Sequence, residues 1–153
     1  MWKVVQKPRL LAYNARMPDE SAQPLVLMVE DDQLLSSLLA HKLTAETLRV
    51  IHVPTGEEAL QVLQRDEKPN LMLLDIRLPG IDGFTVLEKM RADPTTTAIP
   101  VIVLSNFGEK SDLERSRKLG VLQHIVKISL TLDEVATVVR NALGGQRMAA
   151  AAV

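Results

Sequence analysis

The sequence predicts an α/β domain built on a parallel sheet, and three features carry that prediction. Short, unbroken apolar runs recur at Leu25–Val29, Leu71–Leu74 and Val101–Leu104, with weaker ones at Leu48–Val53 and Val121–Val126. Runs this short that are apolar at every position suit strands buried on both faces. The segments between them carry apolar residues at helical spacing, and turn or cap residues separate the two kinds of segment. Strand and helix therefore alternate five times. Crossovers of this kind place helices on both faces of a parallel sheet.

The elements follow in order. The first run leads into Glu30-Asp31-Asp32 and then a helix whose Leu34, Leu35, Leu38, Leu39 and Leu43 are expected on one broad face with Lys42. After the second run, Thr55 is followed three residues on by Glu58, the spacing of a capping box. The helix it opens is expected to place Ala59, Leu60 and Leu63 on one face. The third run ends at Asp75, and Pro79-Gly80 marks a turn before a helix through Phe84, Val86, Leu87, Met90 and Arg91. Pro94 and Pro100 bracket a loop ahead of the fourth run. Gly120 is expected as the left-handed end of the next helix. Thr131 precedes Asp133 and Glu134, whose charge suits a first helical turn. Leu132, Val135, Ala136, Val139 and Leu143 then form the clearest stripe, which Gly144-Gly145 is expected to close. The domain is thus read as residues 25–143. Residues 1–24 form an N-terminal extension, with Met17 a candidate natural start that would leave residues 1–16 upstream. Residues 144–153 form a short alanine-rich tail.

Composition bounds the function. A chain of 153 residues, 46% hydrophobic and 24% charged, suits one globular domain. Lys+Arg 18 against Asp+Glu 19 leaves a net charge of −1, which gives no reason to expect nucleic acid or an anionic membrane surface as partner. The absence of cysteine excludes disulfide scaffolds, thiolate nucleophiles and thiolate metal sites. No apolar run approaches the roughly 20 residues of a membrane-spanning helix. The first residues lack a secretory core with a cleavage site, so a cytoplasmic location is expected.

Ligands of open parallel sheets bind at the carboxyl ends of the strands. Glu30, Asp31 and Asp32 follow the first run, Asp75 follows the third, Ser105 and Asn106 the fourth, and Lys127 the last. Taken singly, these are plausible helix caps, turn residues, a loop cap and a solvated lysine. Their joint placement at successive strand ends is what points to chemistry. Clustered carboxylates raise one another's pKa and require positive charge to stay ionised. A hard divalent cation such as Mg²⁺ supplies it through oxygen ligands, and Lys127 supplies more. Such a set suits a phosphoryl group, and Asp75 is the candidate acceptor through an acyl phosphate. No His, Ser or Cys stands in the carboxylate cluster as a competing nucleophile; His41 and His52 fall on other segments.

These residues together resemble the receiver domain of two-component response regulators, from about Leu25 to Leu143. The resemblance rests on Val29-Glu30-Asp31-Asp32, on Leu73-Leu74-Asp75-Ile76-Arg77-Leu78-Pro79-Gly80-Ile81-Asp82-Gly83, on Val103-Leu104-Ser105 and on Val126-Lys127. It implies a flavodoxin-like (βα)5 fold with strand order 2-1-3-4-5. It implies Asp75 as phosphoacceptor, and a Mg²⁺ site formed by Asp31 directly, Glu30 through water, Asp75 and the backbone carbonyl of Arg77. It implies Ser105 as the hydroxyl that contacts the phosphoryl group and moves on activation, and Lys127 as its ion partner. His124 occupies the position of the family's aromatic switch. The implied donor is a phosphohistidine on a sensor histidine kinase or a histidine phosphotransfer protein. The implied output is a downstream protein target or a phosphorylation-dependent homodimer. On this reading the chain catalyses only its own phosphorylation and dephosphorylation.

The sequence also departs from the family. Ile128 replaces the usual proline after the lysine, so the Lys127–Ile128 peptide is either trans with a reshaped loop or cis with strain. Asn106 stands where a small residue is usual, and His124 where Tyr or Phe is usual. Arg77 and Phe107 are bulky neighbours of the phosphosite, expected to screen it from water. Three other functions compete. A haloacid-dehalogenase-type phosphotransferase wants a second Asp where Arg77 stands. A flavodoxin wants a glycine- and hydroxyl-rich loop where Glu30-Asp31-Asp32 would repel its phosphate. A degenerate receiver would bind partners without phosphate; a receiver fragment of a larger regulator is a further alternative.

Overall fold

The computed structural model describes residues 22–151. Met17 and the rest of the expected extension up to residue 21 lie outside that range. Strand and helix alternate in the order β1 (Leu25–Val29), α1 (Gln33–Ala45), β2 (Arg49–Val53), α2 (Gly56–Leu63), β3 (Leu71–Asp75), α3 (Gly83–Ala92), β4 (Val101–Ser105), α4 (Lys110–Lys118), β5 (Gln123–Val126) and α5 (Leu132–Ala151). A short 3-10 turn, Lys127–Ser129, joins β5 to α5. The sheet has five parallel strands in the order β2-β1-β3-β4-β5.

Successive side chains of a strand point to opposite faces, so each central strand feeds two cores. Leu27, Val29, Met72, Leu74, Val101 and Val103 pack on one face with Ala59, Val62 and Leu63 of α2 and Phe84, Val86, Leu87 and Met90 of α3. Val26, Met28, Leu71, Leu73, Ile102 and Leu104 pack on the other with Leu39 and Leu43 of α1 and Val135, Ala136, Val139 and Leu143 of α5. The central strands β1, β3 and β4 are buried at every position, which is why their sequences are unbroken apolar runs. The edge strands β2 and β5 are only partly buried, and their runs are correspondingly weaker.

Helix ends follow the sequence signals in most places. Thr55 accepts from the Glu58 amide and its hydroxyl donates to the Glu58 carboxylate. Thr131 and Glu134 complete a reciprocal capping box, with the Thr131 amide donating to the Glu134 carboxylate and the Glu134 amide to the Thr131 hydroxyl. Gly120, after α4, has φ +68°, and Gly80 in the Pro79-Gly80 turn has φ +75°, where a Cβ is penalised.

Two expectations are corrected. Leu34 and Leu38 do not share the buried face of α1; they are 71% and 49% exposed. The buried face is Ser36, Leu39 and Leu43. The Ser36 hydroxyl can be buried because it donates to the Gln33 carbonyl. Gly144-Gly145 does not end α5, which runs on to Ala151. Neither glycine has a positive φ, and the helix-forming residues that follow carry the helix past them. Apart from these, α4 is less apolar than its neighbours, with Ser116 its single buried residue.

Gly83 fixes the loop after β3. Its amide donates to the Ile76 carbonyl at 2.9 Å. A Cβ there would collide with the Asp75 carbonyl oxygen and lie 2.8 Å from Ile76 Cα. Backbone cannot give way as a flexible side chain can. Gly83→Ala is expected to destabilise the protein by about 1–3 kcal/mol, read as a lower urea midpoint at unchanged slope.

Candidate functional site

The parallel register brings the predicted residues together. Val29 of β1 pairs with Leu74 of β3, so the next residues, Glu30 and Asp75, stand side by side. Asp75 pairs with Leu104 of β4, and Ser105 pairs with Val126 of β5, which puts Ser105 and Lys127 at the same edge. Glu30, Asp31 and Asp75 each bring one carboxylate oxygen within 4.8 Å of the others. Asp32, the third acid of the run, has the plain role instead. It caps α1, its carboxylate accepting from the Leu35 amide at 3.0 Å.

Each buried carboxylate divides its two oxygens between backbone and ammonium. Glu30 Oε1 accepts from the Asp32 amide at 3.0 Å, and its Oε2 lies 2.6 Å from Lys127 Nζ. Asp75 Oδ1 accepts from the Arg77 amide at 3.1 Å, and its Oδ2 lies 2.9 Å from the same Nζ. The three side chains are nearly closed to solvent, at 4% for Glu30, 2% for Asp75 and 11% for Lys127. One ammonium therefore faces two buried carboxylates, and exposed Asp31 adds a third anion at the rim. Burial holds the Glu30 carboxyl above its ordinary value, against the lowering effect of Lys127. Burial also acts to lower Lys127, but the hydrogen bonds and charges of Glu30 and Asp75 outweigh it and hold the ammonium above its ordinary value. A cluster short of positive charge, lined with hard oxygen donors and open at Asp31, fits a small divalent cation.

Ser105 is buried at the same edge but is engaged elsewhere. Its hydroxyl donates to the Phe107 carbonyl at 2.6 Å and contacts His124 Nε2 at 2.7 Å. His124 Nδ1 in turn lies 2.9 Å from the Ser116 hydroxyl of α4. His124 is thus half-buried and bonded on both ring nitrogens, not a free histidine on an edge strand. Burial holds its pKa below the ordinary histidine value, with the Phe107 carbonyl and Asp112 acting weakly the other way. Asn106 and Phe107 are exposed. The Lys127–Ile128 peptide is trans, like every described peptide bond, and Ile128 projects into solvent at 90% exposure.

Some contacts were not legible in the sequence. The His52 ring, on β2, bonds the Glu30 carbonyl at 2.7 Å through Nε2, so a residue set aside as distant buttresses the acidic loop. The Arg77 guanidinium reaches Asp112 at 3.4 Å, linking the loop after β3 to α4. Ser116 carried no signal at all, since its role depends on where α4 lies against β5.

Residues 26–140 match the response regulator receiver domain. The chain belongs to this family. The receiver is 30% identical over 118 residues to sporulation initiation phosphotransferase F of Bacillus subtilis, covering 77% of this chain and 92% of that protein. Among solved structures it is similar to the phosphorylated cyanobacterial phytochrome response regulator RcpA, with 32% identity and a TM-score of 0.69 over 78% of this chain and 91% of that one. It is also similar to the Mn²⁺-bound form of response regulator Rcp1, with 31% identity and a TM-score of 0.68 over 77% and 90%. The chain spans half the length or less of several other curated relatives, among them the phosphate regulon regulator PhoB of Rhizobium meliloti and PleD of Caulobacter vibrioides. The fold order expected from the resemblance is the one observed. The receiver is a component of two-component signalling, a class whose members partner with histidine kinases or phosphotransfer proteins. No described helix is long and apolar enough to cross a membrane.

Proposed function

We propose that this receiver is a phosphorylatable switch that takes a phosphoryl group from a phosphohistidine onto Asp75. The observation that carries this reading is the shared Lys127 ammonium, 2.6 Å from Glu30 and 2.9 Å from Asp75 in a pocket with one more acid at its rim. In the reaction an Asp75 carboxylate oxygen forms a bond to phosphorus as the phosphorus–nitrogen bond to the donor imidazole breaks. The imidazole leaves with the bonding pair and takes up a proton. Lys127 holds charge on the phosphoryl oxygens as it moves off Glu30 and Asp75. Glu30, Asp31, Asp75 and the backbone carbonyl of Arg77 would hold Mg²⁺, which supplies charge neutralisation at the transferring group. Ser105 would leave Phe107 and His124 to meet a phosphoryl oxygen.

Signalling then follows from a local charge change of roughly −1.5 to −2 read by protein contact. No other catalytic activity is proposed, and location in the cytoplasm accords with a kinase partner there. The test is incubation with a small acyl phosphate and Mg²⁺, read by intact mass. One phosphoryl group should be gained, lost on treatment with hydroxylamine, and absent when Mg²⁺ is chelated. A chain of unchanged mass under these conditions would leave the degenerate receiver as the better description.

The lifetime of the mark should depend on the mouth of the site. Arg77, two residues past Asp75 and tied to Asp112 of α4, and exposed Phe107, two residues past Ser105, would screen the acyl phosphate from water. Arg77→Ala and Phe107→Ala are expected to release phosphate several-fold faster than the parent, measured as loss of the phosphorylated mass after donor removal. Release at the parental rate from both would show that they screen nothing.

A further inference from the structure

The chain of hydroxyls and imidazole from β4 to α4 assigns its own protons. Ser105 Oγ has one proton, and the Phe107 carbonyl 2.6 Å away can only accept it. The 2.7 Å contact to His124 must then be Nε2–H donating to Ser105 Oγ. In a neutral imidazole the other nitrogen is an acceptor, so the Ser116 hydroxyl donates to Nδ1 across 2.9 Å. Ser105 and Ser116 are both buried, and no buried polar side-chain atom among the described residues is left unpaired. The network is complete with the ring neutral, and burial favours that form.

From this we propose that His124 is a positioning residue that latches Ser105 away from Asp75 and, through Ser116, couples release of Ser105 to α4. The inference rests on the function proposed above. When Ser105 turns to a phosphoryl oxygen it must leave both the Phe107 carbonyl and the imidazole. Nε2–H then loses its acceptor in a half-buried site, and regaining one requires the ring to shift. Ser116 loses its Nδ1 partner as the ring shifts, and the helix that carries it must re-bond. An apolar ring at position 124 could fill the same space, yet it would form neither the bond to Ser105 nor the bond to Ser116. Asp112 of α4 and the Phe107 carbonyl are the other polar groups acting on this ring.

Nitrogen-15 spectra of the labelled full chain at neutral pH decide the latch without phosphate. Nε2 should carry the proton, and Ser116→Ala should move the Nδ1 resonance toward that of an unbonded acceptor. A ring protonated at Nδ1 instead, or one indifferent to Ser116→Ala, overturns the proposal. A second measurement tests the coupling by calorimetric titration with beryllofluoride and Mg²⁺. His124→Phe should bind beryllofluoride about 3–10-fold more tightly than the parent, the scale of one net hydrogen bond removed from the resting state. In a Ser105→Ala background the same substitution should change affinity little, because the latched group is gone. Equal tightening in both backgrounds, or none in either, overturns the latch. A parent that binds no beryllofluoride counts against the proposed function, while the imidazole spectra still decide the latch.

Discussion

Asp75→Asn is expected to take up no phosphoryl group from either phosphohistidine or a small acyl phosphate, and yet to unfold at a higher temperature than the parent in metal-free buffer. The loss follows from chemistry, because the amide oxygen lacks the charge to attack phosphorus. The gain follows from the count of charges. Lys127 serves two buried carboxylates, and removing one leaves it matched to Glu30 at 2.6 Å. An asparagine oxygen still accepts from the Arg77 amide where Asp75 does now at 3.1 Å, and Lys127, which cannot accept from the new Nδ2–H, turns wholly to Glu30. The stabilisation should be on the order of 1 kcal/mol, the cost of a buried charge only partly compensated. Intact mass and thermal melts read the two halves separately. A variant less stable than the parent would mean that the Lys127–Asp75 attraction outweighs the repulsion between acids.

Lys127→Ala pushes the same cluster the other way. It leaves Glu30 and Asp75 buried, adjacent and without a counter-charge, a situation that costs about 3–5 kcal/mol when one partner of a buried pair is removed. The deficit should depend on pH with a definite sign. Burial already holds Glu30 above its ordinary 4.5 in the folded chain, and loss of Lys127 leaves only the Asp32 amide to oppose that rise. The folded state then binds more protons than the unfolded one, so stability is lost as pH rises above 4.5 and through the raised folded value, and returns on acidification. Mg²⁺ should restore part of it, by about 2.7 kcal/mol at a hundredfold excess over its dissociation constant. Urea midpoints at neutral and acidic pH, with and without Mg²⁺, check each statement. A neutral-pH deficit that neither acid nor Mg²⁺ reduces would indicate lost packing, not stranded charge.

How far the sequence could be read depended on whether a signal was local. Strands buried on both faces have to be apolar at every position, so β1, β3 and β4 announced themselves as Leu25–Val29, Leu71–Leu74 and Val101–Leu104. Residues at the ends of those runs inherit a common edge from the topology, which is why the sequence alone groups Glu30, Asp31, Asp75 and Lys127. α1 was misread because its leucines outnumber the places available to them. Spacing alone does not say which of Leu34, Leu38, Leu39 and Leu43 faces the sheet, and a serine, Ser36, took a buried place. The partners of the acidic edge were hidden for a different reason. His52 meets Glu30 from 22 residues away, and Ser116 meets His124 across the turn between α4 and β5. Such contacts belong to packing, and no periodicity encodes them.

The sparse burial of α4 bears on what a partner protein would have to do. Its ties to the rest of the molecule are largely polar or cationic: Arg115 to Glu88 at 2.6 Å and over the Phe84 ring at 4.4 Å, Asp112 to Arg77, and Ser116 to His124. Polar ties of this kind can be exchanged for water or for another protein's side chains at small net cost, whereas drawing leucines out of hydrocarbon cannot. Amide deuterium exchange should therefore reach this helix before α1, α2, α3 or the first turns of α5. A binder that gripped it could rearrange one wall of the domain while the rest of the scaffold stayed still.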